Sequence, residues 1–535
     1  MQYSKLISVL LVSLLTLSAC GGSDSNDPLD TDGDGVEDTL DSFPNDAKET
    51  KDTDKDGVGD NSDAFPNDAS ETLDSDEDGV GDNTDVFPND ASETIDSDED
   101  GVGDNADAFP NDASESLDTD EDGVGDNADA FPNDASETLD TDEDGVGDNA
   151  DAFPNDPTKT VTACIAEGTE VNFEALESEN CELLSQYNLF SDPSNPTTGV
   201  NGSKSLPYDL SMPLFTDYAT KYRFVVIPED KSGAFKSSEV MDLPVGSVLI
   251  KTFSLPADTS IRGYENEKLI ETRLLIHRTS GWASLPYVWN AEGTEAEYKP
   301  RGKSETVSLT HNGTDLEFTY TVPSDTQCRE CHQLLDTDEN GKAVPGSGKI
   351  WPIGPKARFL NHDYSYADQE KNQLLAWSEK NMLTDLPFEL SDITTVPVYQ
   401  DDDAQNLKNS VWSAEYINTL ARGYLDINCA HCHRPIGSAN NYGLFLENNR
   451  ELSNATGICK DPIAAPGNSS LEGKLKDIKP GDADNSFLYE RITSEDAGLK
   501  MPKIGRSLVH TEGTLLIKTW IDLLDKDPFN QTSCP

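Results

Sequence analysis

Two pentapeptides carry most of the chemistry legible in the chain: Cys328-Arg-Glu-Cys331-His332 and Cys429-Ala-His-Cys432-His433. In each, two thiols stand three positions apart, where they can form thioether bonds to the vinyl groups of one haem. The histidine that follows can reach the iron. Two such patterns among only nine cysteines predict a c-type cytochrome with two haems c. Cys328, Cys331 and His332 would hold one, and Cys429, Cys432 and His433 the other. Two other chemistries use the same spacing. Zinc needs four ligands in tetrahedral array, which the pentapeptides could offer only together, and nothing else in the sequence requires them to meet. A thiol oxidoreductase would place the pattern after a strand, whereas a helical pattern precedes Cys429.

That pattern is Tyr416, Ile417, Leu420, Ala421, Tyr424 and Leu425, which recur at helical spacing and predict a helix over 416–426. About 70 residues beyond the second pentapeptide comes Leu499-Lys-Met501-Pro502, and the apolar spacing of 514–524 predicts a closing helix. The order of helix, pentapeptide, Met-Pro and closing helix resembles class I cytochromes c. The resemblance implies a mostly α, cytochrome c-like region over 401–535, with His433 as proximal and Met501 as distal ligand. A thioether ligand raises the reduction potential. The first haem region, 327–400, has no Met-Pro at a similar distance. Met382, after the helical run 369–380, and His362 are its nearby candidates, and a five-coordinate iron is the alternative. More broadly, the segment from Met212 onward resembles a family of uncharacterised secreted bacterial haem-motif proteins. The resemblance lies in Trp351-Pro-Ile-Gly-Pro-Lys356, Leu360-Asn361, Asn428-Cys-Ala-His-Cys-His433 and Gly505-Arg-Ser-Leu-Val-His510. It brings no substrate with it.

Residues 160–326 have ordinary composition. Runs at 223–227, 247–253, 270–276 and 316–322, broken by Gly, Pro, Asp and Asn, predict a β-rich domain, as a sandwich or small barrel. Trp282, Tyr287 and Trp289 read as core or haem-edge packing, with a carbohydrate platform as the alternative. His277 and His311 read as structural.

The net charge of -63 is concentrated: residues 24–157 contain 48 Asp and Glu against three Lys. Over 30–157 the chain repeats six times with period 22, close to Asp-x-Asp-x-Asp-Gly-Val-Gly-Asp-Asn-x-Asp. Such charge density cannot bury a core. Carboxylates at loop positions 1, 3, 5, 9 and 12, with Gly at 6, make an oxygen cage for a hard divalent cation. The candidate ligands are Asp30, Asp32, Asp34, Asp38 and Asp41; Asp52, Asp54, Asp56, Asp60 and Asp63; Asp74, Asp76, Asp78, Asp82 and Asp85. The later units supply Asp96, Asp98, Asp100, Asp104 and Asp107; Asp118, Asp120, Asp122, Asp126 and Asp129; Asp140, Asp142, Asp144, Asp148 and Asp151. The pattern resembles an EF-hand loop without its helices, and most of all thrombospondin type 3 repeats. That resemblance implies bound Ca2+ and an irregular, calcium-stiffened stalk.

Residues 1–19 read as a signal peptide, with an apolar run over 6–17 too short to span a bilayer. Leu17-Ser18-Ala19-Cys20 resembles the lipobox of bacterial lipoproteins, which implies a lipidated Cys20 at the outer membrane, followed by a linker over 20–29. Export suits haem attachment. It also suits two disulfides among Cys164, Cys181, Cys459 and Cys534; sequence proximity favours Cys164–Cys181, and three pairings are open. The acidity favours a basic redox partner and no nucleic acid. The expected function is electron transfer at the cell envelope. The alternatives are a di-haem peroxidase or oxidase, for which His362, Asp363 and Glu330 could serve as acid/base groups, and a calcium-dependent adhesion or scaffold protein.

Overall fold

The structure, a computed structural model, describes residues 29–165, 168–367, 369–409, 411–463, 476–524 and 534. The expected signal peptide, Cys20 and all of the 20–29 linker except Leu29 lie outside the described residues. The chain forms two compact units, residues 1–161 and 162–535. Among the described residues no helix is long and apolar enough to cross a membrane.

Residues 29–161 contain neither helix nor strand. Their aliphatic side chains find nothing to bury against: Leu73, Ile95, Leu117 and Leu139 are each more than half exposed. Order comes from polar loops. In the third unit Gly79 N donates to Asp74 Oδ2 at 3.0 Å, Val80 N to Asp78 Oδ1 at 2.8 Å and Phe87 N to Asp85 Oδ1 at 2.8 Å. The glycines at position 6, Gly35 to Gly145, have φ between 94° and 102°, a backbone region that only glycine enters freely.

The second unit is built on a six-stranded antiparallel sheet of β1 (Ser205–Pro207), β2 (Thr220–Val226), β3 (Val248–Pro256), β4 (Glu267–Arg278), β5 (Gly281–Trp289) and β6 (Ala296–Tyr298), in chain order. Strand alternation decides what each face does. Phe224, Val226, Val248, Ile250, Leu274 and Ile276 pack against Leu176, Tyr187 and Leu189, beside the Cys164–Cys181 disulfide. A separate hairpin, β7 (Lys303–His311) and β8 (Thr314–Val322), packs Leu309, Phe318 and Tyr320 against Phe253, Leu255 and Ile270. The expected sandwich or barrel is therefore replaced by one open sheet with a hairpin laid on it. Trp282, Tyr287 and Trp289 are buried core residues.

The expectation of a mostly α C-terminal region is also overturned. Among the described residues helix makes up about 18% and strand about 19%. Among the described residues beyond 401 the α-helices are Ala404–Lys408, Ala414–Asn428, Phe487–Thr493 and Thr511–Leu523, and more than half of those residues lie outside them, in turns and irregular chain. The reason lies between Cys429 and Ser486, where Gly, Pro, Asn and Asp recur too often to sustain a helix. A second disulfide, Cys459–Cys534, joins this stretch to the chain's end. The largest core cluster takes Tyr208 and Val225 from the sheet region, Phe359 and Trp377 from 327–400, and Ile417, Leu420 and Trp520 from the last segment.

Candidate functional site

The first pentapeptide lies on α1 (Asp325–His332). A capping box starts this helix: Gln327 N donates to Ser324 Oγ at 3.3 Å, and Ser324 N to Gln327 Oε1 at 2.9 Å. At its end His332 Nδ1 donates to the Trp351 carbonyl at 2.9 Å. That contact fixes the tautomer and leaves Nε2 with its lone pair, as in a histidine whose other ring nitrogen is free to bind a metal. Trp351 belongs to the Trp-Pro-Ile-Gly-Pro-Lys motif, whose role thus becomes visible.

The second pentapeptide follows α2 (Ala414–Asn428), which is capped by Ser413 Oγ accepting from Tyr416 N at 3.2 Å. The helix is held in place by its own side chains. Asp426 lies between Lys356 Nζ at 3.1 Å and Arg358 Nη1 at 2.6 Å. All three residues are buried. Asn418 Oδ1 accepts from Trp520 Nε1 at 2.9 Å on the closing helix α4 (Thr511–Leu523).

A cavity of about 540 Å³ opens beside Cys429, Cys432 and His433, and Met501 lines it too, with Leu444, Leu446, Phe487, Leu488 and Ile492. Met501 is tied to α3 (Phe487–Thr493) through its N–H, which donates to the Arg491 carbonyl at 2.9 Å. Arg506 secures the loop: its buried guanidinium donates to the carbonyls of Met501 at 3.0 Å, Leu508 at 3.1 Å, Arg491 at 3.3 Å, Ile492 at 3.2 Å and Ser494 at 2.9 Å. Two sulfurs, an imidazole, a thioether and apolar walls around one roomy cavity fit a covalently held haem.

The first pentapeptide offers the same attachment set, and a cavity of about 90 Å³ lined by Cys328, Cys331, His332, Leu249, Leu275 and Ile353. The donors fit a haem, but the cavity would enclose only an edge of the macrocycle. Met382, the favoured distal candidate, is not among the residues lining this cavity. It is fully buried in the large core cluster and follows the short helix Gln373–Glu379, whose Leu374, Ala376 and Trp377 pack there too. His362 accepts from Gln373 Nε2 at 2.9 Å and does not line the cavity either.

The pentapeptides meet. Cys331 Sγ, Cys432 Sγ and a ring nitrogen of His431 all lie within 4.8 Å of one another. Ser438 Oγ donates to the Glu330 carbonyl across the junction at 2.9 Å. The Cys331 and Cys432 sulfurs are hydrogen-bonded, which holds the Cys432 thiol below its ordinary range and Cys331 above it. Burial pushes the His332 imidazole down to about 3 and His433 to about 4, so both rings are neutral at neutral pH and can bind a metal. His431 was not singled out from the sequence, although its place inside the pentapeptide was a signal for it.

In the acidic unit the triads Asp30/Asp32/Asp34, Asp52/Asp54/Asp56 and Asp74/Asp76/Asp78 each bring three carboxylate oxygens within 4.8 Å and can hold a metal ion. At position 3 a carboxylate oxygen is buried without a hydrogen-bond partner in all six units, at Asp32, Asp54, Asp76, Asp98, Asp120 and Asp142. Partial burial first, and then neighbouring carboxylates, raise the pKa of each of these groups. Position 9 carries a hydrogen-bonded clamp. Both oxygens of Asp82 accept from Ser75, N at 2.8 Å and Oγ at 2.6 Å, and Asp38, Asp60, Asp104, Asp126 and Asp148 make the same clamp. The sequence reading missed a further repeat of period 22, Glu49, Glu71, Glu93, Glu115 and Glu137. Each is buried and accepts from the Asn backbone N–H twelve residues on, as Glu71 Oε2 does from Asn83 N at 3.0 Å.

Residues 19–51 match the thrombospondin type 3 repeat family. Such repeats bind calcium. No curated protein and no solved structure matches the chain.

Proposed function

We propose that the protein is a two-haem c-type electron carrier of the bacterial cell envelope, joined to a calcium-binding repeat segment. The observation that carries the reading is the meeting of the two pentapeptides, with His433 and Met501 lining one cavity at the second. A haem supplies reversible one-electron exchange at its iron, and two held side by side supply transfer between them. Cys429 and Cys432 would tether the group at the second site, His433 would offer its neutral Nε2 or Nδ1, and Met501 a thioether that raises the potential. Leu444, Phe487 and Ile492 give that cavity apolar wall, and Arg506 keeps the Met501 loop in place. Cys328, Cys331 and His332 would hold the group at the first site.

The repeats serve this reading as an ordered spacer. Calcium would neutralise the facing carboxylates at positions 1, 3, 5 and 12, at about 10⁻⁴–10⁻³ M for an extracellular module. Lipidation of Cys20, residence at the outer membrane and a basic redox partner complete the proposal.

A second reading rests on the same junction. The His431 Nδ1 is buried without a hydrogen-bond partner and lies in the cluster with Cys331 and Cys432, so the three could hold a zinc-class ion. That cluster supplies three ligands where a structural zinc site needs four. Reductive titration of the exported protein, with elemental analysis, separates the two readings. Two electrons accepted per chain, with no zinc and no turnover of peroxide, supports the carrier. One zinc and no reducible centre supports the second reading, and peroxide turnover would make the protein an enzyme.

A further inference from the structure

The Gly505-Arg-Ser-Leu-Val-His510 motif ends on a histidine that lines neither cavity. His510 is buried at the start of α4, stacked on the Phe215 ring at a centroid distance of 4.3 Å. Its Nδ1 lies 3.0 Å from the Tyr424 hydroxyl on α2. Its Nε2 faces two carboxylates, Asp401 Oδ1 at 3.0 Å and Glu512 Oε2 at 4.0 Å, and one ligand atom from each of the three residues lies within 4.8 Å of the others. Nε2 carries at most one proton, and that proton serves one carboxylate and not both. No Lys or Arg pairs with either carboxylate among the described residues. Glu512 is buried and held by neutral donors: the Tyr218 hydroxyl donates to Oε2 at 3.0 Å and Asn312 Nδ2 to Oε1 at 3.3 Å. His311 Nε2 lies 3.2 Å from Oε1, but it accepts from Asn312 Nδ2 at 2.9 Å, while His311 Nδ1 donates to Thr259 Oγ1 at 2.8 Å. That ring is therefore neutral and brings no proton to the carboxylate. A buried carboxylate is costly unless a cation or a metal ion accompanies it.

We propose that Asp401, His510 and Glu512 hold a divalent transition-metal ion of the zinc class, with water in the remaining position. An imidazole with two carboxylates suits such an ion, whereas the all-oxygen loops of the repeats suit calcium. Donors about 2.0–2.2 Å from a tetrahedral ion stand roughly 3.3–3.6 Å from one another, and the separations of 3.0 and 4.0 Å bracket that range. With its Nδ1 proton given to Tyr424, His510 turns the Nε2 lone pair toward the ion. The Asp401 side chain is 34% exposed, which gives the ion a way in. Bound there, it would join the start of α4 to the turn at Asp401–Asp403. Nothing in this site depends on haem at either pentapeptide.

The test is zinc binding by the full-length exported protein, with calcium in excess to occupy the repeats, in the natural chain, Asp401→Asn and Glu512→Gln. Both substitutions keep the side chain's shape and remove its charge. Zinc that survives gel filtration is counted by elemental analysis, and X-ray absorption at the zinc edge reads its neighbours. The proposal predicts that the natural chain retains a zinc surrounded by nitrogen and oxygen at about 2.0–2.2 Å, without sulfur at about 2.3 Å. Each variant should bind that zinc at least about tenfold more weakly, and Tyr424→Phe, which removes only the partner of Nδ1, about 10–100-fold more weakly. Added zinc should raise the unfolding midpoint of the natural chain and of neither carboxamide variant. A natural chain that retains no zinc overturns the proposal, as does equal zinc affinity in the natural chain and both carboxamide variants. Zinc found only with sulfur neighbours also overturns it, since that ion would belong to the Cys331, His431 and Cys432 cluster. Where a variant fails to fold, the zinc edge of the natural chain decides alone.

Discussion

The sulfurs of Cys331 and Cys432, 101 positions apart in sequence, lie within 4.8 Å of each other. Each belongs to a different pentapeptide, and Cys331 lines both cavities, so the two proposed haem sites share a wall. Substitution at the junction should therefore be felt on both sides. Cys331→Ser is expected to shift both reduction potentials, whereas Cys328→Ser, which lines the first cavity and not the second, should shift one. A redox titration with separate spectral components checks this, and equal, single-site effects from both variants would contradict it.

Arg506 should matter out of proportion to its distance from any sulfur. Removing its guanidinium leaves four carbonyls without this donor, those of Met501, Leu508, Ile492 and Ser494, while Arg491 keeps the Met501 N–H, at about 1–3 kcal/mol for each one that water cannot reach. Arg506→Ala is expected to destabilise the unit by about 3 kcal/mol or more, to weaken the sulfur-to-iron charge-transfer band and to lower the potential at the second site. Lysine, with three donors on a point charge, should not restore it. Chemical denaturation and near-infrared spectra read the two effects separately.

Asp426 couples α2 to the segment before it. Burial raises its carboxyl, but Lys356 and Arg358 outweigh that and hold it below the ordinary value. A depressed carboxyl contributes stability above its unfolded pKa of about 3.9, lost as pH falls through the lower folded value. Asp426→Asn leaves two buried cations facing each other and should cost about 3–5 kcal/mol at neutral pH. The difference from the natural chain should shrink in acid, as measured by denaturant unfolding at several pH values.

The acidic unit should behave in the opposite sense. Its position-3 carboxyls have raised folded pKa values, so their contribution is fully present below about 3.9 and is lost as pH rises through those values. In EDTA at neutral pH the ionised position-3 carboxylates are expected to loosen the loops that hold them, against the opposite contribution of Asp68, Asp90, Asp112, Asp134, Asp148 and Asp156, which Ser and Thr hydrogen bonds hold low, and Ca2+ should restore their order. Circular dichroism and hydrodynamic radius report both steps.

Gly81 offers a local check on the repeat. A Cβ there would collide with Glu71 Oε2, so Gly81→Ala must displace that side chain and its bond to Asn83. Loss of order confined to two adjoining units, followed by amide exchange, is expected. Unchanged protection would show that the glutamate is not a bracket.

How much of this was legible beforehand depended on the range of the interaction. Helix α2 was visible because its apolar positions recur locally, and the strands because their runs are bounded by turn residues. The calcium loops were visible because six copies keep the same carboxylates in register. The junction of Cys331 with Cys432 and the Arg506 clamp were not, since each depends on packing between distant segments. The expected mostly α C-terminal region failed for a related reason. A few helical signals around Cys429 were extended over a stretch whose Gly, Pro and Asn content favours turns.

Peptide mass spectrometry of the full-length protein, exported from a cell able to attach haem, tests the central claim most directly. The account predicts one haem on the peptide holding Cys328 and Cys331 and one on that holding Cys429 and Cys432. Both pairs recovered as free thiols, or as a disulfide between Cys331 and Cys432, would contradict it.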